Sequence, residues 1–176
     1  MATQNIIFAG FGGQGILSMG KFLAYAGMDA GLNVSWLPSY GPEMRGGTAN
    51  CSVIVSDKLV GSPIVNEPNT LLVMNRPSLD KFENAVEKDG IIIIDSDLVD
   101  REVTRTDVNV IKIPAQSIAE EIGSKKIANM VLLGALVAKT GIVSMEQLLD
   151  ALKGHGKAQF FEANKTALEK GAEFVK

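Results

Sequence analysis

The sequence predicts an α/β fold: a doubly wound, mostly parallel sheet with helices on both faces, in a single domain whose C-terminal third is helical. Three observations carry the prediction. Short segments rich in isoleucine and valine alternate with longer segments of helical periodicity. One short segment, Ile91-Ile92-Ile93-Ile94, sets four β-branched residues in succession, which suits a strand covered above and below by crossover helices. Strand-like segments occupy the first two-thirds of the chain and helices the last third, so the end of the chain is expected to pack on the sheet or on another subunit. One domain over residues 1–176 is expected, because 176 residues with 46% apolar content support one core rather than two.

Taken in order, strands are expected at residues 5–9, 32–37, 49–55, 70–75, 90–95 and 108–113, each bounded by Gly, Pro, Asn or Asp. Between the first two, Ile16, Met19, Leu23, Ala26 and Ala30 recur at intervals of three and four, which predicts a helix over 15–30 with one apolar stripe and a stop at Gly31. Asn75-Arg76-Pro77 offers a capping residue and an early proline for a helix over 77–88. A short helix follows Pro114 and ends near Gly123, and another runs over 128–139 to Thr140-Gly141. Ser144 and Gln147 form a capping box for 144–152, and a last helix covers 157–174 with Lys165 and Glu169 spaced i,i+4 on its wet face.

Composition excludes several classes. The net charge is −3 and Lys and Arg are scattered along the chain, so the basic footprint of a nucleic-acid binder is missing. The single cysteine, Cys51, allows no internal disulfide, and no Cys/His grouping has zinc or iron–sulfur spacing. No basic leader precedes the first apolar run, and no apolar stretch approaches the roughly 20 residues that span a bilayer. A cytoplasmic protein with no membrane partner is expected.

Gly10, Gly12 and Gly15 satisfy G-x-G-x-x-G between a predicted strand and a predicted helix. Glycines let a backbone approach a pyrophosphate, and the unpaired N–H groups of a helix start point at it. The same glycines also serve a tight turn with close helix packing, and the pattern leaves both readings open. A dinucleotide site needs an acidic residue at the end of the second strand to hold the ribose. Here that region reads Ser35-Trp36-Leu37-Pro38, which weakens the NAD reading. Gly13 and Gln14 also depart from a plain dinucleotide turn, and the Gln14 amide could meet a ligand or brace a neighbouring loop.

The segment from Pro38 to Thr48 holds two of the six prolines and three glycines, together with Tyr40, Glu43 and Arg45. Such residues fix a loop's shape and give it stacking and charge-pairing groups. If the second strand runs parallel to the first, this segment leaves the sheet at the same carboxyl edge as the glycine loop, where open α/β sheets place ligands. An internal Arg45–Glu43 pair that rigidifies the loop is the plainer alternative.

AGFGGQGIL, SYGPEMRGGTANCSVIVSD and Ile127-Ala128-Asn129-Met130-Val131-Leu132-Leu133-Gly134, in that order, resemble the gamma subunits of 2-oxoacid:ferredoxin oxidoreductases over nearly the whole chain. The likeness is nearest to the short, separately encoded subunits of the 2-oxoglutarate and 2-oxoisovalerate enzymes. The resemblance implies a noncatalytic gamma-type domain in a complex that decarboxylates a 2-oxoacid on thiamine diphosphate, reduces ferredoxin and releases an acyl-coenzyme A. It implies alpha and beta subunits as partners, with a ferredoxin-like delta subunit as an optional one. Thiamine diphosphate, Mg and iron–sulfur clusters would then sit on those partners, and this chain would help form a shared coenzyme A site. By motif, Gly10, Gly12, Gly13, Gln14 and Gly15 would lie near the coenzyme's phosphates or shape the adjoining interface. Tyr40, Glu43, Arg45, Gly46 and Gly47 would form the facing loop, Arg45 as anion partner, with Asn129 as a third polar contributor.

The remaining chemistry-bearing residues read as structural. Cys51 sits in an apolar strand and is expected to be buried. His155 lies in a Gly-flanked turn without a nucleophile beside it. Asp95 and Asp97 follow a strand as turn or capping groups, so no metal is assigned. Two competing functions remain: a stand-alone NAD- or FAD-binding oxidoreductase domain, and an assembly module whose glycine loop meets only a neighbouring subunit.

Overall fold

All six segments read as strands join one sheet: β1 (Gln4–Phe11), β2 (Asn33–Pro38), β3 (Thr48–Ser56), β4 (Thr70–Val73), β5 (Ile91–Asp95) and β6 (Asn109–Ile113), in the order β2-β3-β1-β4-β5-β6. The computed structural model describes residues 3–39 and 48–176. The β1–β4, β4–β5 and β5–β6 pairs are parallel, whereas β3 runs antiparallel to both β1 and β2. The mostly parallel sheet thus carries one inverted strand. Because β3 reverses between them, β1 and β2 point the same way.

Among the described residues six α-helices accompany the sheet: α1 (Ile16–Asp29), α2 (Arg76–Phe82), α3 (Ala115–Ile122), α4 (Ala128–Thr140), α5 (Met145–His155) and α6 (Phe161–Phe174). The starts predicted from capping residues hold. Asn75 Oδ1 accepts the Ser78 N–H at 2.8 Å ahead of α2, and Ser144 and Gln147 close a reciprocal capping box on α5. α2 is shorter than 77–88, ending at Phe82 and passing into a 3-10 turn at Glu83–Ala85. At that junction the buried Glu83 carboxylate is held by Arg101 and by the backbone N–H groups of Thr104 and Arg105, which anchors the end of α2 to residues 101–105. On α6 the ion pair joins Lys170 and Glu173 at 3.9 Å.

Helices cover both faces unequally. On one face, Ile6 and Phe8 of β1, Cys51, Val53 and Val55 of β3, Leu72 and Ile93 meet α1 and α3–α6 in one core. On the other, Ile7, Ala9, Leu71, Val73, Ile92 and Ile94 meet a thinner layer built on Leu79, Val86 and Val99. The run from Ala128 to Val137 in α4 is buried throughout, so the helical C-terminal third packs against the chain's own core. Each large side chain removed from water here contributes about 1.5–3 kcal/mol.

What positions the site is the seat of α1. A side chain at Gly20 would come within 2.5 Å of Cys51 Sγ, and one at Gly27 within 2.8 Å of Val34 Cγ2. Only a helix bare at those two positions lies so flush on β2 and β3, and that height fixes the loop entering α1.

Candidate functional site at the carboxyl rim of the sheet

The loop from β1 into α1 turns through left-handed backbone at Gly13 (φ 90°) and Gly15 (φ 76°), conformations that other residues adopt at a cost of about 1 kcal/mol or more. A Cβ at Gly15 would fall 2.2 Å from Asn129 Nδ2, so the position is closed sterically as well. Gly13 faces open space, and the backbone there can be approached from outside.

Two amide side chains hold this loop. Gln14 Oε1 accepts the Phe11 N–H at 2.6 Å while its Nε2 donates to the Met74 carbonyl at 3.2 Å, tying the loop to the end of β4. Asn129 Nδ2 donates to the Gly15 carbonyl at 3.3 Å, and its Oδ1 accepts the Met130 N–H at 2.9 Å. The amide of Gln14 therefore braces a neighbouring segment, one of the two roles its chemistry allowed. Asn129, 114 residues away in sequence, joins the glycines as a positioning group.

The sheet brings the second segment to the same place. Phe11 is paired with Thr48 and Pro38 with Cys51, and the Ser39 N–H donates to the Asn50 carbonyl at 2.9 Å. The strands flanking residues 40–47 thus end and begin beside the glycine loop, at the carboxyl rim where the strand order changes direction. Tyr40, Glu43, Arg45, Gly46 and Gly47 themselves lie outside the described residues.

A cavity of about 280 Å³ opens at this rim between Phe11, Gly12, Gly13, Ser18 and Ala49. Gly13, Gly15 and Ser18 also line a larger groove of about 540 Å³ that runs along α1 past Lys21 and Tyr25 to Lys126, His155, Lys157 and Phe160. These cations come from three distant stretches of sequence, so the reading of Lys and Arg as scattered missed their convergence. The only sequence signal is on α1, where Ser18, Lys21, Phe22 and Tyr25 fall at i, i+3, i+4 and i+7 on one face.

The residues set aside sit in structural surroundings. Cys51 is fully buried and burial pushes its thiol up to about 12, so it is inert. His155 belongs to the last turn of α5 rather than to a loop. Its ring stacks on Tyr25 with centroids 3.8 Å apart, and its Nε2 lies 3.5 Å from Asp29 Oδ2. Asp95 accepts from the Asp97 N–H and from Gln116, while Asp97 accepts the Ser117 N–H at 2.7 Å, as turn and capping groups do. Burial raises Asp95 above the usual carboxylate range against those hydrogen bonds. Among the described residues no cluster of His, Cys, Asp and Glu is placed to hold a metal ion, and no helix is long and apolar enough to cross a membrane.

Comparison with known proteins gives consistent results. The family model for pyruvate ferredoxin/flavodoxin oxidoreductase matches residues 5–174. Ketoisovalerate oxidoreductase subunit VorA of Methanothermobacter marburgensis is 41% identical over 98% of this chain, which spans 36% of that relative's length. The crystal structure of the keto/oxoacid ferredoxin oxidoreductase gamma subunit of Geobacter sulfurreducens superposes with a TM-score of 0.86 at 32% identity, covering 98% of each chain. The 2-oxoglutarate:ferredoxin oxidoreductase of Magnetococcus marinus, with 2-oxoglutarate, coenzyme A and succinyl-CoA bound, superposes with a TM-score of 0.87 at 26% identity, over 99% of this chain and 31% of that one.

Proposed function

Because the chain belongs to the pyruvate ferredoxin/flavodoxin oxidoreductase family, we propose that it is the gamma subunit of a cytoplasmic 2-oxoacid:ferredoxin oxidoreductase complex. It contributes one wall of a coenzyme A site and a subunit interface. The substrate is 2-oxoglutarate or a branched-chain 2-oxoacid, the class named for the relatives. Alpha and beta subunits, and a ferredoxin-like delta subunit where present, carry the thiamine diphosphate, Mg and iron–sulfur clusters. When bound there, thiamine diphosphate supplies the electron sink for decarboxylation, and ferredoxin accepts the electrons. This chain orients the acyl acceptor.

The observation that carries the reading is the meeting of two connecting segments at one rim. Gly12, Gly13 and the first turn of α1 line the rim cavity, and the strands flanking residues 40–47 end and begin beside it. Gly12 and Gly13 let the coenzyme's phosphates approach the backbone, while Gly10 and Gly15 make room for the Gln14, Ile16 and Asn129 side chains that shape the loop. Gln14 and Asn129 hold the loop in shape, and Tyr40, Glu43, Arg45, Gly46 and Gly47 close the site from the other side, with the Arg45 guanidinium engaging phosphate bidentately.

A dinucleotide-binding domain is the reading in competition, and the sheet order weighs against it. A Rossmann ribose sits at the end of a second strand adjacent to the first, whereas here β3 intervenes between β1 and β2. Reconstitution tests the proposal. Companion subunits expressed with this chain should reduce ferredoxin and form acyl-CoA, and without it they should not. Full activity in its absence, or tight NADH or FAD binding by the chain alone, contradicts the proposal.

A further inference from the structure

We propose that the outer edge of β2 receives an extended, uncharged strand of a companion subunit, which extends the six-stranded sheet by one; the inference rests on the gamma-subunit reading above. The juxtaposition on which it stands is of the outward backbone groups of Val34 and Trp36 with a stretch of sequence free of charge that ends at the rim.

Backbone geometry is the first argument. Residues of an antiparallel pair alternate between those that exchange both hydrogen bonds with the facing strand and those that turn both groups away. The Ser39 N–H donates to the Asn50 carbonyl at 2.9 Å, so in the same register Leu37, Ser35 and Asn33 face β3, across from Ser52, Ile54 and Ser56. Val34 and Trp36 therefore point their N–H and C=O groups away from the sheet. β2 stands at one end of the strand order, and among the described residues no strand lies beyond it. Such a row of donors and acceptors is a template for another extended chain.

Charge is the second. Exposed sheet edges are normally guarded by a charge, a proline or a covering element. The opposite edge follows that rule, because β6 carries Lys112 in an ion pair with Glu102. β2 does not. From Ala30 to Pro42 the sequence holds no Asp, Glu, Lys or Arg, in a chain where 21% of residues are charged. The Lys21 ammonium of α1 lies over the Trp36 ring, 5.7 Å from its centroid, on the helical face of the sheet. Pro38 comes only at the end of the strand, at a position where its missing N–H would have faced outward, and so marks where added pairing stops.

The side chains are the third. Val34 and Trp36 are half-buried, and Leu37 is 42% exposed on the face away from α1. Aromatic and branched residues such as these gain most from a cross-strand neighbour. A second copy of the chain is the other occupant an open edge admits, but a six-residue strand spans only roughly 20 Å, too little for the ~1,200 Å² of a stable interface. A companion subunit that also meets the rim supplies the rest. β2 ends at Pro38 beside the glycine loop, so a strand docked along it sets the companion at the mouth of the proposed site.

The test is hydrogen exchange of the full chain alone and in the assembled complex. In the chain alone the Asn33, Ser35 and Leu37 amides should exchange slowly and those of Val34 and Trp36 fast. Assembly should slow Val34 and Trp36 by about tenfold or more, leaving the whole strand protected. Ser35→Lys combined with Leu37→Lys should melt at the parent's temperature and bind the companion subunits about tenfold or more weakly, whereas Leu37→Thr should bind as the parent does. Unchanged exchange at Val34 and Trp36 on assembly, or full affinity in the lysine variant, overturns the proposal while leaving the gamma-subunit reading standing. Protection of the same two amides in the chain alone, rising with its concentration, overturns it in favour of a second copy. A chain that joins no companion subunits overturns that reading and this inference together.

Discussion

Asn129 Nδ2 donates to the carbonyl oxygen of Gly15, and the same nitrogen would lie 2.2 Å from a Cβ placed on Gly15. One side chain thus both braces the glycine loop and forbids it a larger residue. Gly15→Ala should cost about 3 kcal/mol, combining this clash with about 1–2 kcal/mol for left-handed backbone. Asn129→Ala should cost about 1 kcal/mol for the lost hydrogen bond. Because the second change removes the atoms the first collides with, the double variant should be more stable than the sum of the two losses by about 1 kcal/mol or more. Urea unfolding of the four proteins measures this, and strict additivity would show that the two residues are not in contact.

α4 and α6 should tolerate no side chain where they cross. A Cβ on Gly171 would fall 1.8 Å from the Val131 carbonyl oxygen, and one on Gly134 2.0 Å from that of Leu168. Backbone cannot swing aside as a side-chain tip can. Gly171→Ala should therefore destabilise by roughly 3 kcal/mol or more, although alanine favours helices at exposed positions. Hydrogen exchange should show α6 opening first, and a variant as stable as the parent would mean that the helices sit farther apart.

The Glu83 carboxylate should make stability fall in acid. Burial alone would raise its pKa, but Arg101, Thr104 and the Arg105 N–H outweigh burial and hold it below the usual carboxylate value. A depressed folded value contributes stability that is complete above the unfolded pKa of about 4.3 and is lost as pH drops through the folded one. Asp95, shifted the other way, is present in both proteins compared and cancels. Glu83→Gln should therefore be about 2 kcal/mol less stable than the parent at pH 7, with the gap closing below about pH 4. A gap constant from pH 7 to pH 3 would place the loss in packing instead of charge.

Periodicity made the elements legible, but not all of their relations. The four consecutive isoleucines of β5 announced a doubly covered strand, and they are buried on both faces beyond Ile91. The inversion of β3 had a quieter signal: buried Ala49, Cys51 and Val53 alternate with half-buried Asn50 and Ser52, as in a strand with one open face. The glycine loop announced itself by spacing. The Gln14 and Asn129 braces did not, because an amide that holds a loop and one that meets a ligand look alike in sequence. The groove lysines were invisible for a different reason: they come together only when α1, the start of α4 and the approach to α6 are packed.

Ser18 offers the most direct test of the central claim, because it lines both the rim cavity and the groove and occupies the third position of α1. Glutamate there suits the helix start and should leave stability unchanged or raise it by a few tenths of a kcal/mol. Its charge faces the site proposed for the coenzyme's phosphates. In the assembled complex, Ser18→Glu should lower kcat/KM for coenzyme A about tenfold or more while cluster reduction by the 2-oxoacid alone proceeds at its normal rate. Undiminished use of coenzyme A, or equal loss of both half-reactions, would contradict an anion site at this rim.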